Sequence, residues 1–137
     1  MKTKQLHFSY ALVLFGIFAT APAPVHGQHM NEQDSPCTSV VVTSDLVSCF
    51  SKARDEADAK LNSLYNRLRQ KLKGEDANRL VEAERTWMKY RDENCSAERA
   101  LYGAGTAAQP AYLACSESMT RARTKELQVT YAARLKD

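Results

Sequence analysis

The fold is decided by one stretch of the chain, residues 83–95, which reads AERTWMKYRDENC. Trp87, Arg91 and Cys95 follow one another at four-residue steps, so they line up along one side of a helix. An indole, a guanidinium and a sulfur on one side of a helix predict a packed seam with a polar component. We therefore expect the segments before and after this stretch to pack on it.

Apolar residues recur at three- and four-residue steps on both sides of the stretch, which is typical of amphipathic helices. The first helix is expected to begin at residues 43–45 and to stop at Gly74, and the second to be capped by Asp76. Pro110 fits the first turn of a third helix that runs to about residue 134. Three long helices with short connections predict an all-α, up-down-up three-helix bundle. The buried stripe of the second helix is expected to hold Leu80, Ala83, Trp87, Tyr90, Ala97 and Leu101.

Residues 1–27 are typical of a secretory signal peptide. Lys2 and Lys4 give a basic start, an apolar run follows over residues 8–19, and residues 25–27 suit cleavage before Gln28. The run is shorter than the ~20 residues that span a bilayer, and no cysteine lies at the cleavage point for a lipid. The sequence therefore predicts an exported protein, periplasmic or secreted, without a stable membrane anchor.

Removal of this segment would leave one small domain. Residues 28–36 are polar and lack periodicity, and the valines at 40–42 favour an extended backbone from Cys37 onwards, so we interpret residues 28–42 as a flexible or extended leader before the helical domain of residues 43–137. The loss of Lys2 and Lys4 would lower the formal net charge from +3 to +1. A near-neutral protein gives no support for binding to nucleic acid or to a membrane surface.

Four cysteines, Cys37, Cys49, Cys95 and Cys115, lie in the remaining chain. Their spacing contains no C-x-x-C element, so we expect two disulfides rather than a metal site, with three connectivities open. In an antiparallel pair of helices, Cys95 and Cys115 come level with each other across the connection. This layout favours Cys95–Cys115, which leaves Cys37–Cys49 to hold the leader against the first helix.

Signatures of catalysis are absent from the sequence. No histidine lies within residues 43–137, and the chain has neither a G-x-S-x-G elbow nor a glycine-rich phosphate loop. We therefore expect no enzyme activity, no cofactor and no metal.

Three motifs in order carry a resemblance to a known family. The chain reads ADAKLNSLY at residues 57–65, AERTW and YRDENC at 83–87 and 90–95, and CSESMTRAR at 115–123. Together they resemble the LprI-like lysozyme inhibitor domain, a family of small exported bacterial proteins, over roughly residues 37–135. The resemblance implies a protein partner, lysozyme of a host or a competitor, which the chain would bind and block. The family more often has Gln in place of Glu84, a position we expect to be exposed, and its namesake is a lipoprotein.

The polar residues of these motifs have two interpretations. One is a buried network that fixes the register of the three helices, with Arg91 bound by Asp58 or Asn62, and the other is a ligand or catalytic site. We favour the network, because the residues lie in mid-helix beside the apolar stripe rather than in loops. The residues in question are Asp58, Asn62, Tyr65, Trp87, Arg91, Asp92, Thr120 and Arg123.

A surface for a partner is expected at one end of the bundle. The connection over residues 103–109 is small and uncharged, so it could enter an enzyme cleft, although it is also a plausible plain helix connection. Asp92, Glu93 and Glu98 would offer acidic groups to a cationic lysozyme. The alternative function is a non-catalytic envelope module with a partner other than lysozyme. The loop residues proposed for contact are Gly103, Ala104, Gly105 and Thr106.

Overall fold

The computed structural model describes residues 29–136, and the predicted signal peptide lies outside the described residues. Three α-helices follow one another, α1 (Thr43–Lys71), α2 (Gly74–Ala100) and α3 (Ala108–Thr130). Short 3-10 helices at His29–Asn31 and Ala132–Arg134 precede and follow them, and residues 29–136 contain no strand. The predicted all-α three-helix architecture is confirmed.

The helix at the centre of the bundle is α3. It packs against both other helices, whereas α1 and α2 make few contacts with each other. Its inner face is built from small and polar side chains, among them Ala111, Ala114, Ser116 and Thr120, which let the neighbouring backbones approach closely. The expectation that the segments pack on residues 83–95 is wrong, because the residues buried most extensively belong to α3.

Two apolar clusters form the core. The larger one lies towards the α1–α2 connection. There, three leucines of α1 and one just after its last residue contact Leu80 and Leu127, and Trp87 and Tyr65 pack against this cluster. The smaller one surrounds Phe50 near the start of α1 and includes Leu113 and Cys37. The leucines of the larger cluster on the α1 side are Leu61, Leu64, Leu68 and Leu72.

The exposed face of α2 differs from the predicted one. Tyr90 is 59% exposed and Leu101 is 72% exposed, and Ala83 and Ala97 also lie on the surface. The buried polar residues of this helix are Glu84 and Glu98. Glu84 accepts a hydrogen bond from the Arg123 guanidinium, and Glu98 bonds to the His29 imidazole. The predicted stripe is therefore right for Leu80 and Trp87, which face the core, and wrong for its other four residues.

The helix ends also depart from the predicted caps. Val42 precedes α1 with extended backbone and provides no side-chain cap. Gly74, expected to end α1, is the first residue of α2 and has a φ of 54°, while Asp76 lies inside the first turn. At this corner the chain reverses through a left-handed backbone, which glycine adopts without a steric penalty.

Both predicted disulfides are confirmed. Cys95–Cys115 joins α2 to α3 with 5.4 Å between the Cα atoms, and Cys37–Cys49 joins the N-terminal segment to α1 with 6.1 Å. Each lies at the end of the bundle that carries the α2–α3 connection.

Residues 29–42 pack on the bundle through polar contacts with α2 and α3. The His29 imidazole bonds to the Glu98 carboxylate, the Ser118 hydroxyl donates to Glu32, and Arg121 donates to Asp34 at 2.5 Å. Residues 36–39 form a turn, in which the Val40 N–H donates to the Cys37 carbonyl, so the extended conformation expected from Cys37 onwards is not found there. We call residues 29–36 the N-terminal strap.

The strap contains one carboxyl group with a shifted pKa. The hydrogen bond from Arg121, and its positive charge, hold the pKa of Asp34 below its ordinary value of 3.8. A lowered folded pKa means that the pair stabilises the strap above the ordinary pKa and is lost as the pH falls through the folded value. We expect Arg121→Ala to raise the pKa of Asp34 towards 3.8, measured by NMR titration of the carboxyl carbon. Arg99→Ala is the control, and equal titration of Asp34 in both variants would contradict the assignment.

Candidate functional site

The motif residues meet at a groove between α1 and α2, on the side where these helices make few contacts. The groove has a volume of about 300 Å³. Five of the eight motif residues line it, and the walls are completed by three apolar side chains and two charged ones. The motif residues are Asp58, Asn62, Tyr65, Trp87 and Arg91, and the others are Leu61, Val81, Met88, Glu84 and Arg85.

Arg91 joins all three helices at the base of the groove. One terminal nitrogen donates to Asp58 Oδ1 of α1 and to Thr120 Oγ1 of α3, each at 3.1 Å. Its Nε donates to Asp92 Oδ1 at 3.0 Å, and the Thr120 hydroxyl also donates to Asp58 Oδ1 at 3.4 Å. The guanidinium thus links α2 to both neighbouring helices.

Arg123 forms a second, more deeply buried group. Its Nε donates to Glu84 Oε2 at 3.0 Å, and one terminal nitrogen lies 2.9 Å from Glu126. Burial alone would lower the pKa of Arg123, but the hydrogen bonds to Glu126 and Glu84 outweigh it and the pKa is raised. Glu84, which the sequence analysis placed on the surface, is only 6% exposed. The predicted exposure is wrong, because the partner that allows Glu84 to be buried, Arg123, lies 39 residues further along the chain and no local pattern indicates it.

Trp87 lies close to both of these guanidinium groups. The central carbon of Arg91 is 5.2 Å from the centre of the indole ring, and that of Arg123 is 5.7 Å away. Both distances are within the range of cation–π contacts. The indole therefore packs on the leucine core and also stabilises the two cations beside it.

Asn62 and Tyr65 line the groove without joining the network. The Asn62 side chain is exposed and makes no hydrogen bond to residues 29–136, and the Tyr65 ring lies 5.9 Å from the guanidinium carbon of Arg69. These two side chains are therefore free to meet a molecule that enters the groove.

The residues predicted for partner contact lie in two different environments. Residues 103–106 are exposed on the connection between α2 and α3. Asp92 and Glu93 are also exposed, but Glu98 is only 9% exposed and is bonded to His29. The three carboxylates therefore do not share one exposed surface.

A cluster of His29, Glu98 and Cys115 has the spacing of metal ligands, with the candidate atoms within 4.8 Å of one another. The Cys115 sulfur is bonded to Cys95, so it cannot supply the thiolate that binds metals. Without it, two ligands remain, which is too few for a structural metal site. In the part of the chain that the structure describes, this cluster is a hydrogen-bonded pair beside a disulfide.

A comparison with protein families shows to which family the chain belongs. The family model described as lysozyme inhibitor LprI matches residues 35–127. The chain belongs to the LprI family. The match spans both disulfides and the three motifs, so the resemblance drawn from the motifs is confirmed. No curated protein and no solved structure matches the chain.

The LprI motifs therefore coincide with the side chains that hold the three helices together and line one groove. The sequence analysis did not predict that the carboxylates of Glu84 and Glu126 bind Arg123. The i, i+3 spacing of Arg123 and Glu126 on a helix was a usable signal for one of them. Among residues 29–136, no helix is long and apolar enough to cross a membrane.

Proposed function

We propose that the chain binds a lysozyme and blocks the approach of glycan to the cleft of that enzyme. The observation that carries this proposal is the match of residues 35–127 to the lysozyme inhibitor LprI family. The partner would be a lysozyme of a host or a competitor. In this reading the chain acts by covering a surface, and it performs no chemistry itself.

Export fits this role, because lysozyme acts on the cell wall. Two disulfides in a small domain are typical of proteins that fold in an oxidising compartment. The signal peptide over residues 1–27, with cleavage before Gln28, remains a prediction from the sequence, as does the periplasmic or secreted location.

The α2–α3 connection is the proposed contact with the enzyme. Consecutive backbone hydrogen bonds fold it into tight turns, including Gly103 N–H to Ala100 O and Ala108 N–H to Gly105 O. The Cys95–Cys115 disulfide holds the two helices that carry it. A small, preformed projection loses little conformational entropy on entering a cleft, which favours binding. Exposed Leu101 beside it adds an apolar contact, and exposed Asp92 and Glu93 would face a cationic enzyme.

Two glycines give a matched test of this surface. Gly103 and Gly74 have φ values of 53° and 54°, and a Cβ at either position would meet no atom within 4 Å. Alanine at either position should therefore destabilise the fold similarly, by about 1–2 kcal/mol, because both force a left-handed backbone. The two positions lie at opposite ends of the bundle, so Gly103→Ala should weaken lysozyme binding by roughly tenfold more than Gly74→Ala does, a difference of about 1.4 kcal/mol.

The measurement is calorimetric titration of the oxidised protein with c-type and g-type lysozymes, with lysis assays in parallel. Micromolar or tighter binding together with loss of lysis supports the proposed function. Equal affinity of the two glycine variants would remove the connection from the contact surface, and no binding of the parent protein at high micromolar concentration would overturn inhibition itself.

The alternative is an envelope interaction module with a partner other than lysozyme. The observation that favours it is that two large side chains of α2 away from the connection are exposed, Met88 at 44% and Tyr90 at 59%. Exposed aromatic and Met side chains of this kind are enriched at protein interfaces. If Tyr90→Ala abolished lysozyme binding and Gly103→Ala did not, the lysozyme contact would lie on α2 and not on the connection.

A further inference from the structure

The groove wall carries two carboxylates, Asp58 and Glu84, and two guanidiniums, Arg85 and Arg91, and each guanidinium is also paired with a carboxylate outside the wall. Arg91 contacts two carboxylates, Asp58 and Asp92. Arg123 likewise contacts two, Glu84 and Glu126, so four carboxylates surround two guanidiniums. The remaining cation on the groove wall, Arg85, lies 3.0 Å from Glu82 and is balanced by it. The excess of two negative charges therefore belongs to the ion-pair network around the groove, since Asp92 and Glu126 lie outside its wall.

One of these carboxylates can accept further hydrogen bonds. Both hydrogen bonds that Asp58 accepts end on Oδ1, and its side chain is 37% exposed at the groove. A carboxylate has about four acceptor positions, so Oδ2 is free to accept from a donor in the groove. The exposed amide of Asn62 stands one helical turn away on the same wall and offers a carbonyl oxygen beside it.

The wall around Asp58 suits a long aliphatic chain. Met88 and Tyr65 line the groove with apolar surface, and Met88 is among the exposed large apolar residues. A basic side chain buries its methylene groups against such a surface while its charged end reaches a carboxylate. The volume of about 300 Å³ is at the small end of ligand sites, which suits one side chain rather than a whole cofactor.

We propose that this groove binds a lysine or arginine side chain of a basic partner protein, with Asp58 and Asn62 holding the charged end. A neutral sugar fits less well, because a sugar stacks on an open aromatic face and the Trp87 ring already has two guanidiniums within 6 Å of its centre. This proposal concerns a different surface from the α2–α3 connection and stands without lysozyme binding.

The test uses the capped peptide Gly-Arg-Gly and the same peptide with citrulline, which keeps the shape of arginine and removes its charge. Trp87 is the one tryptophan of the sequence, so its emission and its indole N–H resonance report on the groove directly. We expect the arginine peptide to shift both signals with a dissociation constant on the order of 1 mM. Affinity should fall at least about threefold between 0.01 and 0.15 M salt, as the screening length shortens from ~30 Å to ~8 Å.

Two neighbouring lysine substitutions separate a groove effect from a general charge effect. Asn62 lines this groove, whereas Ser63 lines a different cavity on the other side of α1, and both are exposed. At 0.15 M salt, Asn62→Lys should abolish binding of the arginine peptide, while Ser63→Lys should change it less than about twofold, since its side chain lines the other cavity and the screening length is ~8 Å. Neither position contributes to the core, so both variants should fold.

Three results would overturn the proposal. They are equal binding of the citrulline peptide, equal loss in the two lysine variants, and tighter binding of a neutral N-acetylglucosamine oligomer at the same Trp87 resonance. The last result would assign the groove to a sugar.

Discussion

Replacement of both Cys95 and Cys115 by alanine should lower the free energy of unfolding by at least about 3 kcal/mol. The bond closes a loop of 20 residues, and the chain-entropy model gives about 3 kcal/mol for a loop of this length. Both cysteines have no exposed surface, and their sulfurs lie 3.7 and 3.8 Å from the Met119 sulfur. The substitution therefore also removes buried contacts, which adds to the loss.

Urea unfolding at fixed pH, followed by circular dichroism, measures this effect. The matched variant replaces Cys37 and Cys49, which close a shorter loop of 12 residues and of which Cys49 is only partly buried. We expect the Cys95/Cys115 variant to lose more stability than this one. A larger loss from Cys37/Cys49 would show that the link between the N-terminal segment and α1, and not the link between α2 and α3, limits the stability of the fold.

Arg123→Ala should destabilise the protein by about 3–5 kcal/mol, because it leaves a buried carboxylate without its cation. The side chains of Arg123 and Glu84 are 10% and 8% exposed, so water replaces the lost contact poorly. Glu126 is mostly exposed and should lose little when its partner is removed. The same substitution takes one guanidinium away from the Trp87 ring.

A control for this variant lies on α2. Arg85 pairs with Glu82 at 3.0 Å, but both side chains are largely exposed, so Arg85→Ala should cost less than about 1 kcal/mol. Adding Glu84→Gln to Arg123→Ala should recover part of the loss, since it removes the unpaired charge. Similar denaturation midpoints for Arg123→Ala and Arg85→Ala would contradict the buried-pair account.

The sequence predicts the helices and disulfides of this fold well, but it predicts less well which polar residues are buried and which helix lies at the centre. The apolar residues of α1 recur at three- and four-residue steps, and Leu61, Leu64 and Leu68, which follow this spacing, lie in the core. The disulfides followed from the helical layout, because an antiparallel hairpin brings Cys95 level with Cys115. These features depend on local periodicity and on the geometry of neighbouring helices, both of which a single sequence carries.

The burial of polar residues could not be predicted in the same way. Glu84 and Glu98 are buried because Arg123 and His29, at 39 and 69 residues' distance along the chain, complete their hydrogen bonds. No local pattern contains that pairing. The central role of α3 was missed for a related reason, since a face of alanine, serine and threonine gives only a weak apolar signal although it allows the closest packing.

The central position of α3 has a consequence for the order in which the protein can fold. Chains are synthesised from the N-terminus, so α1 and α2 exist before the helix against which both must pack. Until α3 has been made, their leucines lack most of the surface that would cover them, and Cys95 has no Cys115 to pair with. The bundle can therefore be completed only once α3 is available to pack against both earlier helices.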